Sequence, residues 1–139
     1  MSSNGLVTVT SRFSVRETLD QLTAAVTSAG LLVFARINHA RNAEEVGLEL
    51  RPTELLIFGH PKGGTPLMQD KQTAGIDLPV KALVWEDEEG TVWLTYNEVA
   101  WIAQRHGIQP AGHPELARMA AAVADVTTQA VAGNPTASC

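Results

Sequence analysis

The sequence has a single cysteine, few aromatic residues and no long hydrophobic run. Cys139 is the only thiol and the last residue, so no disulfide bond can form within the chain. No stretch approaches the ~20 apolar residues that a membrane-spanning helix needs. The first residues also lack the cationic and apolar parts of a signal peptide. We therefore expect a soluble, cytoplasmic protein without a membrane partner.

Positive charge is also scarce. The chain has 10 Lys and Arg residues against 15 Asp and Glu residues, for a net charge of −5. Its arginines are scattered rather than clustered, whereas binding to phosphate backbones requires grouped cations. No nucleic-acid partner is therefore predicted. Hydrophobic residues make up 45% of the 139 residues, which is typical of one globular domain.

Hydrophobic periodicity predicts an α+β fold. Ser14 and Glu17 form a capping-box motif before a helix over residues 15–29, and further helices are predicted over residues 39–46, 99–106 and 114–132. The predicted strands cover residues 6–11, 31–37, 55–58, 80–85 and 91–96. Most connections between strands are short enough for antiparallel pairing, which favours one sheet with helices packed on one face. We expect one domain over residues 1–133 and a frayed tail over residues 134–139.

The stretch from Leu55 to Pro79 is the most distinctive part of the chain. The apolar run Leu55–Phe58 predicts a strand that is buried on both faces. Two prolines and two glycines then fall within residues 60–66, which predicts an irregular loop. Residues 76–79 lead back into the next strand. The glycines at positions 59 and 64 have the spacing of a phosphate-binding loop, but Thr65 and Pro66 stand where such a loop requires Lys and Ser or Thr.

Several motifs of this stretch and its surroundings resemble the uncharacterised DUF302 family. They are Ile37-Asn38-His39-Ala40, residues 47–52, Phe58-Gly59-His60-Pro61-Lys62, Thr65-Pro66-Leu67-Met68, Ile76-Asp77-Leu78-Pro79, residues 84–87 and Tyr96-Asn97. At position 60 the family commonly has asparagine. The resemblance implies a TBP-like β-α-β(4)-α fold and a homodimer, but no activity, because none is established for the family.

The loop after the buried strand is the candidate ligand site. A rigid sheet can hold such a loop in place, and glycine amides can approach a ligand closely. Lys62 favours an anionic group, and a protonated His60 would strengthen that preference. We therefore expect a small anionic ligand to bind at His60, Lys62, Gly63, Gly64 and Thr65, with Asp77 holding the return segment. The alternative is that the prolines and glycines only turn the chain.

No metal site or cofactor is predicted. The chain has four histidines, and none of them forms a pair at metal-ligand spacing. Whether the protein is an enzyme stays open at this point. One hypothesis is a non-catalytic module that forms dimers and binds a ligand. The other is a small hydrolase or isomerase-like enzyme that uses His60, Lys62 and Asp77 together.

The tryptophans enter the dimer hypothesis. Trp101 falls beside the inner face of its predicted helix, and an exposed tryptophan often belongs to an interface. Trp85 and Trp93 are instead predicted to be cross-strand neighbours in a hairpin.

Overall fold

The computed structural model describes residues 4–133, so the predicted tail over residues 134–139 lies outside the described part. The strands are β1 (Leu6–Ser11), β2 (Leu32–Asn38), β3 (Thr53–Gly59), β4 (Val80–Glu86) and β5 (Val92–Asn97). The helices are α1 (Val15–Ser28), α2 (His39–Glu45), α3 (Pro61–Asp70), α4 (Val99–Arg105) and α5 (Glu115–Ala132), with short 3-10 turns over Gln72–Ile76 and Pro110–Gly112.

The strands form one antiparallel sheet of 5 strands in the order β1-β5-β4-β3-β2. The chain follows the order β-α-β(4)-α if the short helices between later strands are set aside. This arrangement confirms the predicted α+β class. Among the described residues, no helix combines the length and the apolar character needed to cross a membrane.

Helix α1 begins at the predicted capping box. The Ser14 hydroxyl accepts the Glu17 amide at 3.1 Å, and the Glu17 carboxylate accepts the Ser14 amide at 3.2 Å. Leu19, Leu22 and Val26 recur at helical spacing and are fully buried. They face the sheet beside α5, so α1 and α5 together cover one face of it.

The other face of the sheet is only partly covered. Along β3, Leu56 and Phe58 are fully buried, whereas Leu55 and Ile57 are half-buried. The prediction of a strand buried on both faces is therefore wrong. Successive side chains of a strand point to opposite faces, and here only one face lies under α1 and α5.

The hairpin of β4 and β5 has the predicted cross-strand pair. Trp85 lies opposite Trp93, with ring centroids 6.3 Å apart. The Trp93 indole donates to the Asp87 carboxylate at 2.9 Å, and Asp87 also accepts the Thr91 amide. These hydrogen bonds, led by that of Trp93, hold the pKa of Asp87 below its usual value. The acidic turn is therefore built around one structural carboxylate.

Candidate functional site

Residues 60–66 begin a helix rather than an irregular loop, so that prediction is wrong. Pro61 occupies the first position of α3, where a backbone donor is not needed. His60 is the N-cap, and its Nδ1 accepts the Lys62 amide at 3.1 Å. Leu67, on the inner side of this helix, is buried and anchors it to the core. Capping and burial thus outweigh the helix-breaking character of Pro66 in the interior of α3.

The capped helix changes what its backbone can offer a ligand. The amides of Gly63 and Gly64 donate to the His60 carbonyl oxygen at 3.0 and 3.2 Å. They are therefore engaged in the first turn, so an anion site here depends on side chains. His60 accepts a hydrogen bond through Nδ1, as an asparagine side chain at a helix N-cap would through its oxygen. Nδ1 of His60 is therefore engaged in the helix cap.

A cavity of about 390 Å³ lies between α3, α5, the end of β3 and the start of β4. Its walls include the buried side chains of Phe58, Val80 and Val123, together with Met119. Lys62 and Arg118 also line it but are exposed, so they lie toward solvent. The first cavity is thus an apolar chamber with two cations at its mouth.

A second cavity of about 270 Å³ adjoins the first. Gly59, His60, Val80 and Met119 line both cavities. The remaining walls of the second cavity are mostly apolar and are formed by Phe34, Pro61, Gly64, Thr65, Met68, Leu78 and Pro79. The two chambers therefore lie side by side and share these four residues.

The acidic residue at the first cavity contacts a histidine. The Glu115 carboxylate lies 2.6 Å from His113 Nδ1, and Asp70 lies 2.8 Å from His113 Nε2. Hydrogen bonds to Asp70 and then to Glu115 raise the pKa of His113. Within residues 4–133, neither Lys62 nor Arg118 takes part in an ion pair. The pKa of Glu115 is lowered by a hydrogen bond from its own backbone amide, by His113 and, to a smaller extent, by the charge of Arg118. The mouth therefore carries two cations and one carboxylate.

Asp77 lies in a different cluster and lines neither cavity. Its carboxylate accepts Arg105 Nη1 at 3.1 and 3.2 Å and lies 2.6 Å from His106 Nε2. The other ring nitrogen of His106 lies 3.0 Å from the Thr73 hydroxyl. Asp77 thus ties the turn after α3 to the end of α4.

Lys81 reinforces this return segment. Its ammonium donates to the carbonyl oxygens of Asp77 at 3.2 Å and Pro79 at 2.9 Å. Burial lowers the pKa of Lys81, while the negative charge of Asp77 opposes that effect. The Lys81 ammonium therefore holds the backbone on both sides of Leu78, which lines the second cavity together with Pro79.

Five of the six predicted site residues line at least one of the two cavities. His60, Lys62 and Gly63 line the first cavity, and His60, Gly64 and Thr65 line the second. Asp77 is the one that lies apart. In the part of the chain that the structure describes, no group of three or more His, Cys, Asp or Glu residues could hold a metal ion.

Sequence reasoning missed Arg118, Met119 and Phe34 as lining residues. Met119 and Arg118 are neighbours in the helix that is predicted over residues 114–132. Nothing in the sequence indicates, however, that this part of α5 crosses over the start of α3. His106 was read as a helix-end residue, and its partner Asp77 is 29 positions away.

These features define an α+β fold with a pair of cavities on its helix-covered face. The chain belongs to the DUF302 family, because residues 7–135 match the family described as "Domain of unknown function DUF302". It also resembles the crystal structure of an uncharacterised conserved DUF302 protein from Bacillus stearothermophilus. That match has a TM-score of 0.70 and 19% identity, and it covers 91% of this chain and 95% of the other.

Three curated Brucella proteins are closer to this chain in sequence. "Fluoride-specific ion channel FluC 1" of Brucella suis biovar 1 is 50% identical over 127 residues, which cover 91% of this chain and 50% of that protein. The protein of the same name from Brucella abortus biovar 1 is also 50% identical, with 47% of its length covered. The chain therefore spans about half the length of the curated relatives it matches.

Proposed function

We propose that this chain is a non-catalytic module that forms dimers and binds a small organic anion in the first cavity. One observation carries the ligand part of the proposal: two exposed cations, Lys62 and Arg118, flank an apolar cavity in a chain of net charge −5. A charge at an apolar wall acts through a lower effective dielectric constant than a charge in open water. The mouth therefore favours a ligand with one anionic group and an apolar body.

The placement of Asp77 supports a module over an enzyme. The hydrolase or isomerase-like alternative needs His60, Lys62 and Asp77 around one substrate. Asp77 is instead held by Arg105 and His106 and lines neither cavity. In addition, His60 Nδ1 already accepts the Lys62 amide, so that nitrogen is committed to the helix cap.

Titration with benzoate tests the anion site. Calorimetry should show that Lys62→Ala binds benzoate about fivefold more weakly than the wild-type chain does, because about 1 kcal/mol of charge interaction is lost. Arg41→Ala removes an exposed cation from α2, outside both cavities, and is the matched control. Equal affinity of the wild-type and Lys62→Ala chains would show that Lys62 has no important role in the site.

The dimer part of the proposal places a second copy against β2. This strand is at the end of the sheet order, so one of its edges is left without a strand partner among the described residues. Leu32, Val33 and Phe34 are consecutive there and are 45%, 39% and 49% exposed. Two β2 strands related by a twofold axis would continue the sheet and cover these side chains.

The earlier reason for a dimer, an exposed Trp101, loses its basis in the structure. The indole packs directly over Gly5 and leaves no room for a Cβ atom there. The Arg105 guanidinium lies 5.7 Å from the centre of the same ring. Trp101 is therefore only half-exposed and has partners within its own chain.

Sedimentation at micromolar concentration tests the dimer. The wild-type chain should sediment at about twice 14.8 kDa, and Leu32→Asp should sediment as a monomer. Leu48→Asp, at a site that is 64% exposed and away from β2, is the control and should not change the mass. A wild-type chain that sediments only at 14.8 kDa would contradict the proposal.

A second candidate function is a role beside a fluoride channel. It is favoured by the 50% identity of this chain to one half of the Brucella proteins that carry that name. A domain within the same polypeptide as a channel shares its location and copy number. We therefore propose, as this second candidate, that the present chain acts on such a channel as an accessory domain.

Reconstituted channels test the accessory role. Fluoride efflux would be measured from liposomes that contain the Brucella suis protein with and without its matching half. If the accessory role is correct, removal of the matching half should change the efflux rate. Addition of the separate DUF302 half should then restore the rate of the full-length protein. Unchanged efflux, together with no binding of the present chain to the truncated channel, would exclude it.

A further inference from the structure

We propose that the ligand is an amphipathic monocarboxylate whose head lies at Lys62 and Arg118 and whose apolar tail extends past Met119 into the second cavity. This inference rests on the proposed function of the first cavity and names the class of its ligand. A single head with an unbranched hydrocarbon tail, as in a medium-chain fatty acid, has this chemistry.

The first step is the shared wall. Gly59, His60, Val80 and Met119 line both chambers, so the volumes of about 390 and 270 Å³ adjoin across the same few residues. Ligand cavities in proteins commonly have volumes of about 300–1,000 Å³. Either chamber alone is at or near the lower limit, whereas the joined chambers fit an elongated molecule.

The second step is the difference in charge between the chambers. Lys62, Arg118 and Glu115 line the first cavity, but no Lys, Arg, Asp or Glu of the described residues lines the second. A second anionic group there would be desolvated without a cation to pair with it, which is costly. The second chamber therefore suits a hydrocarbon tail and disfavours the far end of a dicarboxylate.

The third step is the passage between the chambers. Met119 packs closely on α3, because a Cβ atom at Gly63 would lie 3.2 Å from both its Cγ and its Sδ. On the far side, a Cβ atom at Gly64 would lie 3.7 Å from the Met68 methyl group. Both methionines are unbranched and have several rotatable bonds, so their side chains can move aside for a tail at little cost.

Calorimetry with hexanoate, octanoate and decanoate, below micelle-forming concentrations, tests the tail. Affinity should rise about threefold to fourfold for each added methylene that enters the chambers. Met68→Trp fills the second chamber and should reduce decanoate affinity to about that of hexanoate. Hexanoate binding to the same variant reports whether the first chamber and the fold are intact. If the variant does not fold, the dependence of wild-type affinity on chain length still tests the tail.

The possible results distinguish the placement of the tail in the second cavity from the anion site in the first. Carboxylates that all bind with similar affinity, and that depend on Lys62, would overturn the tail and leave the anion site in place. Decanol binding as tightly as decanoate would overturn the placement of the head. Absence of binding by every carboxylate, benzoate included, would overturn both proposals.

Discussion

The two groups of charged residues next to the family motifs differ in how they are paired. Asp77 accepts hydrogen bonds from Arg105 and lies against His106, so each of these charged or polar groups has a partner. Lys62 and Arg118, at the mouth of the first cavity, take part in no ion pair within residues 4–133. Paired groups hold the fold together, whereas unpaired cations on an apolar cavity are available to a ligand.

The burial of the two groups differs in the same way. The side chains of Asp77 and His106 are 20% and 8% exposed, so removing one partner leaves the other poorly solvated. Lys62 and Arg118 are exposed and remain hydrated when the cavity is empty. Substitutions in the first group should therefore change stability, and those in the second group should change binding.

The largest effect is expected from the Asp77 cluster. Asp77→Ala should lower the free energy of unfolding by about 2 kcal/mol, because hydrogen bonds to a charged group are lost and His106 is left buried without its partner. Urea unfolding measures this change. Arg105→Ala is the control and should cost less than about 1 kcal/mol, because that side chain is 53% exposed. A loss below about 0.5 kcal/mol in Asp77→Ala would place Asp77 outside the stabilising network.

The next effect concerns the cap of α3. His60→Ala removes the acceptor for the Lys62 amide and should cost about 1 kcal/mol in the free energy of unfolding. His60→Asn keeps an acceptor at the cap and should recover most of that loss. Thermal melts of the two variants and the wild-type chain test this expectation. Equal losses in the alanine and asparagine variants would show that the imidazole contributes something other than a cap.

The sequence predicted the sheet and the helices well because their signals are local. The Ser14–Glu17 box, the stripe of Leu19 and Leu22, and the alternation around Trp85 are each contained within a few residues. The start of α3 was mispredicted because His60 is rarely read as an N-cap, and two prolines suggest a break. Its helical form depends on the cap of His60 and on the burial of Leu67 by distant parts of the chain.

The candidate site was predicted only in part, for a related reason. Lys62 and His60 are only two positions apart in sequence, so their proximity to one cavity follows from the chain itself. Arg118 and Met119 join them only because α5 crosses α3, which is a matter of tertiary packing. The pairing of Asp77 with His106 likewise spans 29 residues, and no sequence pattern marks it.

A smaller effect is expected from the ionic group of His113, because Asp70 is 37% exposed. Contacts with Asp70 and Glu115 raise the pKa of His113 above 6.5 in the folded chain, so the folded state holds the proton more tightly than the unfolded state. This stabilisation is complete below about pH 6.5 and is lost as the pH rises through the raised value. Urea unfolding of wild-type and His113→Gln chains should therefore differ most near about pH 6 and least near about pH 9. A difference between the two chains that grows with pH would contradict a raised pKa of His113 in the folded state.

The smallest effect on stability is expected at the cavity mouth. Lys62→Ala and Arg118→Ala should each change the free energy of unfolding by less than about 0.5 kcal/mol, because both residues are exposed and neither gives up an ion pair. Urea unfolding measures stability, and benzoate titration of the same samples measures binding. Unchanged stability with weakened binding would place these cations in a ligand site, as opposed to the structural cluster around Asp77. A loss above about 1 kcal/mol in either variant would instead show that the mouth contributes to folding. The contrast between paired structural groups and unpaired binding groups would then no longer hold.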